Sequence, residues 1–322
     1  MHRRKFLKIA ATAGAAGVFS PSVLRAAQWP ERPVKVIVPF GAGGGTDQLA
    51  RLWAEKLSQA FGQQFVVDNR GGASGMIGTE ATAKSAPDGY TLLITSNTPP
   101  INLPLLRKVP YDAKALHPVV RIGDAVTGYC VHPGTGLKTL KELVDYAKAN
   151  PGKLACASPG PGTNGHLRME MLMFRAGVKF LHVPYRGAAD AMSDLLAGTV
   201  HTMNDPTCNA AAKAGKLTML CTNHSARSPD FPDAPTLTEA GYPDSDVPLW
   251  FCIWAPAGVP QPILDSLHAK VTEISKTPDI AAKLLLSGNV PAVSTQAELL
   301  AFREAESKTM AELIKAANIK LE

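Results

Sequence analysis

The chain is short of several things that would have pointed to chemistry. Aromatic residues make up 6% and charged residues 19% of its 322 positions. No sequence repeat and no low-complexity tract is present. The five cysteines, Cys130, Cys156, Cys208, Cys221 and Cys252, form no C-x-x-C pair and no metal-ligand spacing, so a zinc ribbon is excluded. Cys156 and Cys221 lie in apolar runs that read as buried strands, so buried reduced thiols are expected. A Cys208–Cys221 disulfide is not indicated by spacing. H-E-x-x-H is absent. The serine-hydrolase elbow is absent too, because Gly72-Ala73-Ser74-Gly75 runs on into Met76. No basic stripe alternates with aromatics, so nucleic acid is not an expected partner.

The charge that is present sits largely at the start. The whole chain is formally +6. Residues 1–27 hold five lysines and arginines and no acid, which leaves the remainder close to neutral. Positions 3 to 8 read Arg3-Arg4-Lys5-Phe6-Leu7-Lys8, followed by a small-residue apolar stretch from Ile9 to Phe19. A basic start, a short apolar middle and small residues near a cut form the layout of a twin-arginine export signal. The stretch is too short to read as a membrane span. Cleavage is expected after Ala26 or Ala27, and the periplasm is the expected compartment.

The rest alternates strand-like and helix-like segments. Val34–Phe40 reads as a buried strand, Thr46–Phe61 as a helix with Leu49, Trp53 and Leu57 on one stripe, and Phe65–Asp68 as a second strand. A helix at Ile77–Ser85 and a strand at Tyr90–Thr95 complete a β-α-β-α-β order, which implies a parallel sheet. The pattern restarts at Val126–Val131. Thr139 with Glu142 predicts a capping box for a helix over Leu140–Ala149. Strands at Leu154–Ala157, Phe180–Val183, Thr199–Met203 and Leu217–Thr222 then alternate with helices at Gly165–Ala176 and Ala188–Ala197. The predicted fold class is α/β with two lobes, each a mainly parallel sheet flanked by helices. Residues 28–126 and 250–322 form lobe one, 127–249 form lobe two, and the C-terminal helices return to lobe one.

Two glycine-rich turns stand between a strand and a helix. One is Pro39-Phe40-Gly41-Ala42-Gly43-Gly44-Gly45-Thr46-Asp47. The other is Ser158-Pro159-Gly160-Pro161-Gly162-Thr163-Asn164-Gly165-His166. Glycine lets a ligand approach bare backbone, and the following helix offers unpaired N–H groups and the positive end of its dipole. Each turn therefore favours a carboxylate or a phosphate.

These residues resemble the substrate-binding proteins of tripartite tricarboxylate transporters, the Bug proteins. The resemblance runs through Trp29-Pro-x-Arg-Pro33, Val38-Pro-Phe-x-x-Gly-Gly44 with Asp47, and Asn69-Arg-x-Gly-Ala73. It continues in Ala86-Pro-Asp-Gly-Tyr-Thr91, Gly160-x-Gly-Thr163 with His166-Leu167, and His182-Val-Pro-Tyr-Arg-Gly187. Asp205 and Ala255-Pro-Ala-Gly-Val-Pro260 extend it. The resemblance implies a monomeric type II-like two-lobe periplasmic binding protein, not an enzyme. It needs no cofactor and no metal, and it passes a small carboxylate to membrane transporter subunits. It implies a ligand set of Phe40, Gly41, Ala42, Gly43, Gly44 and Thr46 in lobe one, with Asn97 beside Ser96 at the end of the third strand. From lobe two it implies Gly162, Thr163, Asn164, His166 and Asp205. The ligand is a di- or tricarboxylate, an aromatic acid or an acidic amino acid. The chain departs from its relatives at Gly41 and Ala42 (often proline), at Asn204 (often apolar) and at Thr98-Pro99-Pro100 (often with histidine).

Single residues carry alternatives. His166 reads as a ligand contact or as a hydrogen bonder that stabilises its own turn. Asp47 reads as a local partner for N–H groups at the helix start. Arg186 reads as a loop-fixing residue or as the partner of a distal carboxylate. Trp250 and Trp254 read as core or hinge packing, or as the lining of an aromatic pocket. The competing function is an exported NAD(P)-dependent oxidoreductase using the Gly41–Gly45 turn. Its fingerprint is incomplete, since Thr46 stands where the third glycine belongs.

Overall fold

Alternation along the first strand decides how the first sheet is covered. Val34, Val36 and Val38 enter one apolar core with Leu49, Trp53 and Leu57, while Ile37 enters another with Leu93, Trp250 and Trp254. A strand with apolar residues on both faces must have helices on both. The computed structural model describes residues 29–224, 227–228, 230–243, 245 and 247–321. The predicted leader lies outside the described residues.

The elements, in chain order, begin with β1 (Val34–Val38), α1 (Gly45–Phe61), β2 (Phe65–Asn69), α2 (Met76–Ala83), β3 (Thr91–Ser96), α3 (Leu103–Leu106) and β4 (Leu116–Ala125). There follow β5 (Thr127–Val131), α4 (Leu140–Ala149), β6 (Ala155–Ser158), α5 (Asn164–Ala176), β7 (Leu181–Pro184), α6 (Ala188–Ala197), β8 (Thr202–Asn204), α7 (Cys208–Lys213) and β9 (Thr218–Asn223). The chain ends with β10 (Trp250–Pro256), α8 (Gln261–Ser275), α9 (Pro278–Leu286), β11 (Asn289–Val290) and α10 (Gln296–Ala316).

The first sheet has the order β11-β4-β10-β3-β1-β2 and the second β7-β6-β8-β5-β9. β1 pairs in parallel with β2 and β3, as β6 does with β7 and β8. β10 runs antiparallel between β3 and β4, and β5 antiparallel between β8 and β9. Most strands of each sheet therefore point one way, as the sequence predicts; β10 and β11 are reversed in the first sheet and β5 in the second. The second sheet is also covered twice. Leu143, Leu172 and Tyr129 pack on one side, Leu195, Met203 and Cys130 on the other. All five cysteines are buried, and no disulfide joins them.

Two crossings join the sheets, one at Val126 and one through residues 224–249. They lie side by side: Ala125 N–H donates to Leu249 O at 2.9 Å, and Asn209 Nδ2 donates to Val126 O at 2.7 Å. The C-terminal helix does more than return to the first sheet. A capping box between Thr295 and Glu298 starts α10, and Leu299 and Phe302 then pack on the first sheet. Farther along, Met310 and Ile314 pack on Leu167 and Met171 of α5. The box predicted at Thr139 is half formed. Thr139 accepts from Glu142 N–H at 3.1 Å, but the Glu142 carboxylate reaches past it to Lys138 N–H at 2.6 Å.

Candidate functional site

The helices α1, α5 and α6 each start at a glycine-containing turn, and all three starts meet between the sheets. α1 begins at Gly45 and α5 at Asn164, and neither has a side-chain cap. Four N–H groups open a helix without an internal acceptor. Those of Gly45, Thr46, Asn164, Gly165 and Ala188 have no hydrogen-bond partner among the described residues. The starts are close together. A Cβ on Gly187 would stand 3.9 Å from Gly41 N, and one on Gly45 would stand 3.8 Å from Pro206 and Thr207 side-chain carbons.

Between them lies a pocket walled by Phe40, Pro159, Pro206, Leu249 and Phe251. Its polar lining comes from Thr46, Ser96, Thr98, Thr163, Asn164, Asn204 and Asp205. No lysine, arginine or histidine lines it. An anion here would be held by main-chain dipoles.

Both turns are braced in the same way. In the first, Gly43 takes a φ of 83° and gives its N–H to Asp47 Oδ2 at 2.9 Å. Asp47 is 3% exposed and also accepts from Arg51 Nε at 3.0 Å and Asn69 Nδ2 at 2.9 Å. Burial pushes its carboxyl up, but Arg51, Gly43 and Asn69 outweigh that and hold it below the ordinary value. In the second, Gly162 takes a φ of 77° and gives its N–H to His166 Nδ1 at 2.9 Å. That nitrogen accepts, so it carries no proton. The His166 ring stacks on His182 with centroids 4.2 Å apart, and His182 Nε2 meets Ser158 Oγ at 2.7 Å. Burial, then the neighbouring His166, bring His182 down to about 4.

Of the predicted ligand set, Phe40, Gly41, Gly44, Thr46, Thr163, Asn164 and Asp205 line the pocket. Ala42, Gly43, Gly162, His166 and Asn97 do not. Gly43 and Gly162 have committed their amides to side chains four residues on, so His166 serves its own turn. Asn97 is fully buried, and its amide is spent on Pro248 O at 3.0 Å and on the Glu306 carboxyl. Its neighbour Ser96 is the one that reaches the pocket. Asn164 lines it too, but its side chain is tied to Thr98, Asn102 and Pro248 O. Asn204 points its amide oxygen at Arg168 Nη1, 3.1 Å away, and its nitrogen at Asn223 Oδ1. Asp205 accepts from Thr207 N–H at 3.0 Å and Thr207 Oγ1 at 2.7 Å through Oδ1. Its burial raises the carboxyl above the ordinary value against the pull of Thr207 and Arg168.

Sequence reasoning missed Ala188, Pro206, Leu249 and Phe251. Ala188 carried a legible signal, a glycine directly before a predicted helix. Phe251 belongs to β10, a strand the pattern did not predict, and Leu249 immediately precedes it. Trp250 and Trp254 point into the core beside Phe302. Among the described residues, no group of three or more His, Cys, Asp or Glu is placed to hold a metal, and no helix is long and apolar enough to cross a membrane.

A family model described as "Tripartite tricarboxylate transporter family receptor" matches residues 49–319. The chain is 36% identical to Protein BugT of Bordetella pertussis over 311 residues, 95% of each chain. It superposes on Rpa4515 of R. palustris, solved with adipate, with a TM-score of 0.87 and 33% identity over 91% of this chain and 99% of that one. It also superposes on MatC of Rhodopseudomonas palustris, solved with bound malate, with a TM-score of 0.83 and 28% identity over 89% of this chain and all of that one (100%). A two-sheet fold, an interlobe pocket and relatives matched nearly end to end agree, and the chain belongs to the tripartite tricarboxylate transporter family receptors, a family of binding proteins rather than enzymes.

Proposed function

We propose that this protein is a periplasmic receptor that closes on a small organic carboxylate and delivers it to membrane subunits of a tripartite tricarboxylate-type transporter. One observation carries the ligand class: three helix starts with unsatisfied N–H groups converge on a pocket that no cationic side chain lines. Residues 28–126 with 250–322, and 127–249, act as the halves that close, with Val126 and the stretch before Trp250 as hinges. The carboxylate lies against the starts of α1, α5 and α6. Asp205 then faces the rest of the ligand. When ionised it accepts from a hydroxyl or ammonium group. Its raised affinity for a proton lets it donate instead to a second carboxylate. Relatives solved with adipate and with malate support a dicarboxylate as the first ligand to try. The twin-arginine pair Arg3-Arg4 is the proposed route of export.

A thermal-shift panel of mono-, di- and tricarboxylates, aromatic acids, acidic amino acids and nicotinamide nucleotides tests this. A bound carboxylate at a hundred times its Kd stabilises the fold by about 2.7 kcal/mol. Stabilisation by NAD(P) with no response to any carboxylate would overturn the reading.

A further inference from the structure

A carboxyl group is buried beside the second crossing, away from the pocket. Glu306 on α10 is 7% exposed, and its two oxygens accept from Asn97 Nδ2 and Trp250 Nε1. The same Asn97 nitrogen donates to Pro248 O at 3.0 Å. Asn164 Nδ2 donates to that carbonyl too. Asn164 is the first residue of α5, and its Oδ1 accepts from Thr98 Oγ1 and from Asn102 Nδ2 at 3.3 Å. An unbroken polar chain therefore runs from α10, past the end of β3 and the crossing, to the helix start that lines the pocket.

Every link in it has a direction. The Asn97 amide uses its two N–H bonds on Pro248 and Glu306, and its own Oδ1 is buried without a partner. A proton added to the Glu306 oxygen that faces Asn97 sets a donor against the Asn97 amide N–H. Turning the Asn97 amide over would satisfy that proton, but it would aim Oδ1 at the Pro248 carbonyl and break the link. The charged groups that act on Glu306 are Arg121 and Asp124 of β4, paired at 2.6 Å, while Arg303, three positions earlier on α10, donates to Ala113 O at 3.0 Å. β10 adds the buried thiol of Cys252, and the Thr98–Asn102 turn adds no titratable group. Burial drives the Glu306 carboxyl up. Asn97, Trp250 and Arg121 pull it back and Asp124 pushes again, which leaves it at about 7.

We propose that Glu306 is a positioning residue for the ligand site: ionised, it locks Asn97 onto Pro248 and holds Asn164 and the first turn of α5 in place, and protonated, it releases them. The proposal rests on the carboxylate reading only for what is bound. The chain of contacts is tested without ligand.

The test is a titration of protein labelled with 15N in tryptophan and asparagine, from about pH 5.5 to 8.5, the range that spans a carboxyl so displaced. The Trp250 indole and the side-chain amides of Asn97 and Asn164 are expected to shift together with a midpoint near 7. Glu306→Gln removes that midpoint from Trp250 and Asn164. Asn97→Ser keeps it at Trp250 and removes it from Asn164, so wild type and Asn97→Ser decide the matter should Glu306→Gln not fold. An Asn164 amide that stays flat in wild type, or that still titrates in Asn97→Ser, overturns the proposal. With adipate as the probe, affinity should fall about tenfold below the midpoint, the worth of one hydrogen bond. A failure of adipate to bind with the amide titration intact would count against the ligand class and not against Glu306.

Discussion

The two glycine turns solve one mechanical problem with different chemistry. Each must hold a loop open so that bare amides face the pocket, and each does so by tying a glycine N–H to a side chain four residues on. The first turn uses a carboxylate supported by Arg51 and Asn69. The second uses a neutral imidazole nitrogen supported by a stacked histidine. The first brace is charged and triply bonded. The second is a single hydrogen bond to a ring stacked on His182. The turns should therefore fail under different conditions.

The largest expected effect is Asp47→Ala. It removes the acceptor for three donors and leaves Arg51 without its charge partner, which should cost about 2–4 kcal/mol in urea unfolding. It should also abolish carboxylate-induced stabilisation. His166→Ala takes one acceptor from the buried Gly162 N–H, and about 1–2 kcal/mol is expected. A loss from His166→Ala as large as that from Asp47→Ala would erase the contrast between the turns.

Acid sharpens it. His182 is held at about 4, below its ordinary 6.5, so the unfolded chain binds the extra proton first. Its contribution to stability is complete above pH 6.5 and is lost as pH falls toward 4. Asp47, displaced below its ordinary value of 3.8, stays ionised across that window. Glu306 has the opposite sign, because its ionisation costs stability as pH rises from 4.5 to about 7. Global unfolding would mix the two, so hydrogen exchange resolved by peptide is the measurement. Residues 158–167 should lose protection between pH 6.5 and 4 while residues 39–48 do not. The smallest effect separates the hydroxyls. Thr163 Oγ1 donates to Gly160 O at 2.7 Å, so Thr163→Ala should cost about 1 kcal/mol. Thr46 braces nothing in its turn, and Thr46→Ala should leave unfolding unchanged.

The same contrast between local and distant marks how much could be read in advance. β1, α1, β2, α2 and β3 were legible because strand and helix periods, broken by glycine and proline, are local signals. β4 and β10 were not. They pair antiparallel from Leu116–Asp124 to Trp250–Pro256, and Pro118 and Pro256 interrupt both patterns. That two glycine turns open helices at the pocket was legible for the same local reason. Which amides stay free was not, because that turns on Asp47 and His166 accepting backward across one helical turn. Nor was the fate of Asn97, whose amide is claimed by a carboxyl more than two hundred positions away (|i−j| 209).

On the proposed reading, a pocket whose grip is main chain and whose walls are Phe40, Leu249, Phe251 and Pro206 divides its labour. No single codon change deletes a peptide N–H short of introducing proline, whereas any wall residue can be exchanged for a larger or smaller one. A lineage built on this plan can retune the size and shape of its cargo repeatedly while the handhold for the acid group survives each step.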